Sequence, residues 1–187
     1  NSRVGQVLQA SVPVGDFHYI QGQDTTKLIG ISGGMSVTPL RSMARSVADG
    51  SLDVDLTIFC GWDTPQEVLY YEEFQEYTRV CPQFKGVFNV LNGGLKGAEC
   101  GYITLEMIQK HTDINESTFF LCGPADMYTA VTRELAPLNL PPERCHWELP
   151  GEAKTSALLQ ELAGIERHEY QLTVTIHGEI YHVPMDS

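Results

Sequence analysis

Basic residues are scarce in this 187-residue chain: 12 Lys and Arg stand against 24 Asp and Glu, a formal net charge of −12. A surface that neutralises several phosphates of DNA or RNA is therefore not expected, and an anionic membrane is an unfavourable partner. No apolar run approaches the roughly 18 residues of a membrane span, and no secretory leader is read at the amino end. Cysteine occurs, but never as CxxC. Cys60, Cys81, Cys100, Cys122 and Cys145 are widely separated, which argues against a zinc ribbon or a redox dithiol. An odd count without a leader fits a reducing compartment, so the expected location is the cytoplasm. The six histidines show no paired ligand spacing, and no metal site is assigned. The GxGxxG fingerprint is also missing, because Gly33 and Gly34 are adjacent and Met35 and Ser36 follow.

What is present is an alternation of short apolar runs and helical patterns, organised around Lys27 to Pro39, KLIGISGGMSVTP. Leu28 to Ser32 has the composition of a strand buried on both faces of a parallel sheet. Gly33-Gly34 is a tight turn, and Thr38-Pro39 read as the cap and first residue of a helix running to Ala48. A strand, a glycine turn and a helix N-terminus together offer unpaired N–H groups and a positive dipole end to a phosphate. The plain alternative is a Gly-Gly turn that merely joins strand to helix.

Further strands are expected at Asp53 to Cys60, Gly86 to Leu91, Ser117 to Cys122 and Arg144 to Glu148. Between them lie a helix opened by Thr64 and Pro65 with Leu69, Phe74 and Tyr77 on its apolar face, a glycine-rich loop from Asn92 to Gly101, a short helix from Thr104 to His111, and a helix ending at Leu135. This order predicts an α/β fold, a doubly wound, five-stranded parallel sheet of Rossmann-like type covered by helices on both faces. Ligands in such sheets bind beyond the carboxyl ends of the strands, where the turns at Gly33 and Gly123 line one crevice. Residues 170–187 read as a β-hairpin around His177-Gly178.

Two motifs in this order, GGMSVTP and FLCGPADM, resemble the nicotinamide-binding half of the ferredoxin-NADP reductase family over most of Val12 to Glu148. Val14-Gly15-Asp16-Phe17 is similar to the last segment of that family's flavin-binding barrel, and Tyr170 to Ser187 to the first hairpin of a plant-type ferredoxin. The resemblance implies residues 1–20 as a barrel tail, 21–150 as an NAD(P)-binding domain, 151–169 as a linker and 170–187 as the start of a ferredoxin-like domain. The parent would be an iron-sulfur flavoprotein reductase. In it, NAD(P)H delivers hydride to FAD for onward transfer to a 2Fe-2S centre and then to an acceptor such as an oxygenase. FAD and the cluster would be held by the barrel and ferredoxin domains rather than by this chain.

Carried over residue by residue, Gly33, Gly34, Met35, Ser36, Thr38 and Pro39 match the pyrophosphate turn, with Ser36 where a third glycine is usual. Cys122, Gly123, Pro124 and Met127 match the nicotinamide segment, Cys122 lying near the carbon that gives up hydride and serving to pack and position. A buried strand-end thiol is the alternative. Glu148 matches a carboxylate placed near the flavin, or is a solvated strand-end glutamate. In the loop after the second strand there is no base to meet a 2′-phosphate. Asp63 there suits a ribose diol and Trp62 can stack on adenine, which favours NADH over NADPH. NADPH would instead call on Arg41 or Arg45. The missing base and Ser36 keep a second function open, a non-catalytic nucleotide-binding regulatory or assembly module.

Overall fold

Five consecutive buried residues, Leu28 to Ser32, follow an exposed Lys27 and form β1, Lys27–Gly33, at the centre of a parallel sheet. The computed structural model describes residue 7, residues 15–148 and the backbone of two strands at 170–176 and 179–185. The expected linker at 151–169, the His177-Gly178 turn and most of the barrel tail lie outside the described residues.

The helical run after β1 begins earlier than expected. Gly34–Val37 form a 3-10 turn that passes directly into α1, Thr38–Ala48. Thr38 is therefore inside the helix with no capping hydrogen bond, and Pro39 occupies the second helical position. The turn is possible because Gly34 takes φ +55°, a left-handed angle open to glycine. α1 buries Leu40, Met43, Ala44 and Val47, the i, i+3, i+4, i+7 set of one helix face.

β2, Asp55–Trp62, starts later than the sequence pattern suggests and runs on through Gly61 and Trp62, because Gly61 stays in the ladder, paired to Gly33 and Asn89. Thr64 and Pro65 do open a helical segment, with a reciprocal Thr64–Glu67 capping box, but only the 3-10 turn Pro65–Glu67. The α-helix α2, Tyr71–Val80, starts after Tyr70, which has φ +59°, so Leu69 lies before the helix rather than on its face. β3 is Phe84–Val90.

The sheet has six strands rather than five. Within the expected glycine-rich loop, Glu99–Cys100 pairs in parallel with Asn89 and Val90 and forms the edge strand β4. Two residues carry no readable alternation. What holds them is the Glu99 carboxylate, 2.6 Å from Lys110 Nζ and 2.7 Å from His111 Nε2 on the following helix α3, Leu105–His111. Thr104 caps α3 as expected, accepting from Met107 N at 3.2 Å. β5, Thr118–Cys122, α4, Ala125–Leu135, and β6, Cys145–Glu148, complete the domain. The remaining described strands, β7, Tyr170–Ile176, and β8, Glu179–Met185, pair antiparallel as a separate two-stranded sheet.

Spatial order in the main sheet is β4-β3-β2-β1-β5-β6. α1 and α2 cover one face over a core that includes Leu40, Ile58, Phe74 and Phe120, and α3 and α4 cover the other over Ile31, Phe59, Ile108 and Val131. The chain winds outward from β1 to β4, then returns to the other side of β1 as β5. The carboxyl ends of β1 and β5 are thus the topological switch point. Phe17 packs edge-on against Phe120, and the Asp24 carboxylate lies 2.7 Å from His146 Nε2, so the segment before β1 is tied to the β5–β6 side.

Candidate functional site

At the switch point the two glycine turns touch. A Cβ on Gly123 would lie 3.3 Å from the Gly33 nitrogen, and one on Gly33 would lie 2.7 Å from Met127 Sδ and 3.0 Å from Pro124 Cδ. These two positions are glycine for space, because α4 starts directly over the end of β1. Gly34 has nothing within 4 Å of a Cβ and is glycine for its angle instead. The 3-10 turn leading into α1 and the start of α4 both open here, so first-turn N–H groups and positive dipole ends face one crevice.

A cavity of about 730 Å³ lies over these ends. The residues expected to bind a nucleotide that line it are Gly33, Gly34, Met35, Ser36, Trp62, Asp63, Pro124 and Met127. Thr38, Pro39, Gly123, Cys122 and Glu148 do not. Thr38 is exposed at the first residue of α1, and Gly123 is buried beneath Met127. Trp62 is 7% exposed, and its ring belongs to the core under α1 and α2, with Nε1 buried and without a hydrogen-bond partner.

Cys122 ends β5 level with Ser32 of β1 and Glu148 of β6. Burial pushes its thiol far above the usual range, and the neighbouring Cys60 is pushed up to about 12 for the same reason. Burial thus disfavours the thiolate form at both positions. Glu148 is half-buried at the last position of β6.

Gln66, Leu69, Leu91, Tyr102, Ile103 and Val131, none of them expected from the sequence to bind a ligand, also line the wall. Tyr102 is 71% exposed at its rim. The available signal was position: the loop carrying Tyr102 leaves the carboxyl end of the third strand, on the ligand side of such a sheet. The wall contains three carboxylates, Asp63, Glu67 and Asp126, and no Lys, Arg or His. Arg41, a candidate base, is committed to α2. Its Nε donates to Glu73 Oε2 at 2.8 Å, and its guanidinium lies 4.4 Å over the Tyr70 ring. No group of ligating side chains suited to a metal occurs among the described residues. No helix among them is long and apolar enough to cross a membrane.

A protein-family profile described as "Oxidoreductase NAD-binding domain" matches residues 31–133. A glycine betaine monooxygenase reductase subunit from Chromohalobacter salexigens is 31% identical over 170 residues, 87% of this chain and 46% of that protein. A flavohemoprotein from Oceanobacillus iheyensis is 28% identical over 150 residues, 79% of this chain and 37% of that protein. This chain therefore spans less than half the length of these curated relatives. Among solved structures, a cytochrome P450 reductase from Amycolatopsis superposes with a TM-score of 0.63 at 22% identity, covering 74% of this chain and 43% of that one. The FAD/NAD-binding domain of nitric oxide dioxygenase from Vibrio cholerae gives 0.63 at 21% identity, covering 73% and 55%. At these identities the superpositions establish the fold.

Proposed function

Since this chain belongs to the oxidoreductase NAD-binding domain family, we propose that it presents NADH to a flavin held elsewhere in its parent protein. The parent is a flavoprotein reductase that passes electrons through a 2Fe-2S centre to a partner such as an oxygenase. The observation that carries this reading is the meeting of the Gly33–Ser36 turn and the start of α4 under one cavity at the switch point.

The residues present fit a dinucleotide. First-turn N–H groups of Gly34 to Ser36 hold the pyrophosphate, assisted by the helix dipole. Asp63 accepts hydrogen bonds from the adenosine ribose diol, and Tyr102, more exposed than Trp62, covers the base. Three wall carboxylates and no wall cation make a 2′-phosphate unfavourable, which supports NADH over NADPH. Pro124 and Met127 wall the way toward Cys122 and Glu148, which position the nicotinamide end. A reduced nicotinamide supplies hydride there.

Relatives that are reductase components favour this reading over a non-catalytic regulatory module. A cytoplasmic location fits five cysteines that form no disulfide among the described residues. Rapid mixing of the full-length parent with NADH tests the proposal. Loss of the oxidised-flavin absorbance is expected, and absence of bleaching with both NADH and NADPH would overturn it.

A further inference from the structure

Tyr128 is the largest fully buried side chain of the domain, 0% exposed on α4 within an otherwise apolar core. For packing alone an apolar side chain of similar size would serve, and a hydroxyl in such surroundings is costly unless it is hydrogen-bonded. It is hydrogen-bonded, and all of its partners are backbone groups at the open end of the sheet. The hydroxyl accepts from the Gly123 N–H at 3.3 Å and shares its proton between two carbonyl oxygens, Leu121 at 3.0 Å and Glu148.

Those partners have something in common. Leu121 and Gly123 flank Cys122, and Glu148 is the residue level with Cys122 on β6. Gly123 follows the last residue of β5, and Glu148 is the last residue of β6. One hydroxyl on α4 joins both. The Trp147 ring, 5.6 Å from that of Tyr128, packs beside it.

We propose that Tyr128 is a positioning residue for hydride transfer, fixing the gap between the Cys122-Gly123 turn and the Glu148 end of β6. This rests on the reading that the nicotinamide lies at that end of the cleft. It goes beyond that reading by assigning the alignment to a side chain that never touches the nucleotide. The adenosine and pyrophosphate region at Gly34–Ser36 and Asp63 makes no contact with the Tyr128 hydroxyl, so the two halves of the ligand should respond differently to its loss.

The test is Tyr128→Phe in the full-length parent protein, read by two measurements. The rate constant of flavin reduction at saturating NADH should fall about tenfold or more, since small misplacements at the reacting end are costly. The Kd of ADP-ribose should stay within about twofold of the wild type. An unchanged reduction rate would overturn the proposal, as would a loss of ADP-ribose binding in proportion to the loss of rate, which marks general destabilisation. If wild-type flavin does not bleach with NADH, the hydride reading itself fails and the positioning role goes with it; that outcome is distinct from bleaching that Phe leaves intact. Should the Phe variant not fold, amide exchange of the wild type decides. The Gly123 N–H should be protected by orders of magnitude over exposed loop amides, and fast exchange would contradict the hydrogen bond on which the role depends.

Discussion

The Gly33 nitrogen lies 3.3 Å from where a Cβ on Gly123 would sit, so the two turns of the cleft are in direct backbone contact. Met127 covers both, its sulfur 2.7 Å from the Cβ position of each. Gly123→Ala should therefore displace Met127 and spread the turns, costing about 1–3 kcal/mol of stability. Met127→Ala in the same chain should relieve most of the clash. Urea denaturation of the two single variants and the double variant measures the coupling, and additive effects would contradict the contact.

Asp63 is the exposed acidic residue at the end of β2 on the cavity wall. Asp63→Arg should remove a repulsion and add a bidentate donor for a 2′-phosphate, moving the NADPH-to-NADH affinity ratio by about tenfold or more toward NADPH. Calorimetric titration with both nucleotides checks this. An unchanged ratio would mean that the ribose lies elsewhere.

The Asp24 side chain is fully buried, accepts from Ile20 N at 2.6 Å and meets His146, which stacks on Phe120 at 4.4 Å between ring centres. Asp24→Ala should cost about 1–3 kcal/mol, because it leaves a half-buried backbone donor and an imidazole without their acceptor. Thermal unfolding reads the loss. A change within about 0.5 kcal/mol, the range of surface substitutions, would show that the entry segment is not held by this pair.

Lys110 and then His111 hydrogen-bond the Glu99 carboxylate and hold its pKa below the ordinary 4.5. The unfolded chain therefore takes up this proton first as the pH falls. The stability that Glu99 contributes is present above about pH 4.5 and is lost as the pH falls through its lower folded value. Glu99→Gln should accordingly flatten the drop in Tm between about pH 5 and pH 3, in melts followed by circular dichroism. An unaltered slope would remove Glu99 from the acid response of the β4–α3 edge.

Strand and helix order was legible because buried parallel strands are nearly continuous apolar runs and α1 repeats its apolar positions at helical spacing. β4 was not, since two residues have no period and their support comes from Lys110 and His111, eleven and twelve residues away. The start of the helical run at Gly34 was hidden by Thr38-Pro39, a good local cap signal overridden by the left-handed angle at Gly34. In the cleft, the glycine and proline positions were readable from their turn chemistry. Trp62 was legible as an aromatic at a strand end but not as a core residue, because its orientation depends on the extra ladder pairs of Gly61 and Trp62. Tyr128 carried no signal at all. A tyrosine on the apolar face of a helix looks like core until its hydroxyl is seen to meet three backbone groups.

We propose the cleft over Gly33 and Gly123 as a pyrophosphate site selective for a nucleotide without a 2′-phosphate. Calorimetric titration of the protein with ADP-ribose, NADH and NADPH at one fixed salt concentration tests it most directly. One site per chain is expected, with binding of ADP-ribose and NADH, and with NADPH weaker by about tenfold, the factor that corresponds to 1.4 kcal/mol. Tighter binding of NADPH than of NADH, or no binding of ADP-ribose, would contradict it.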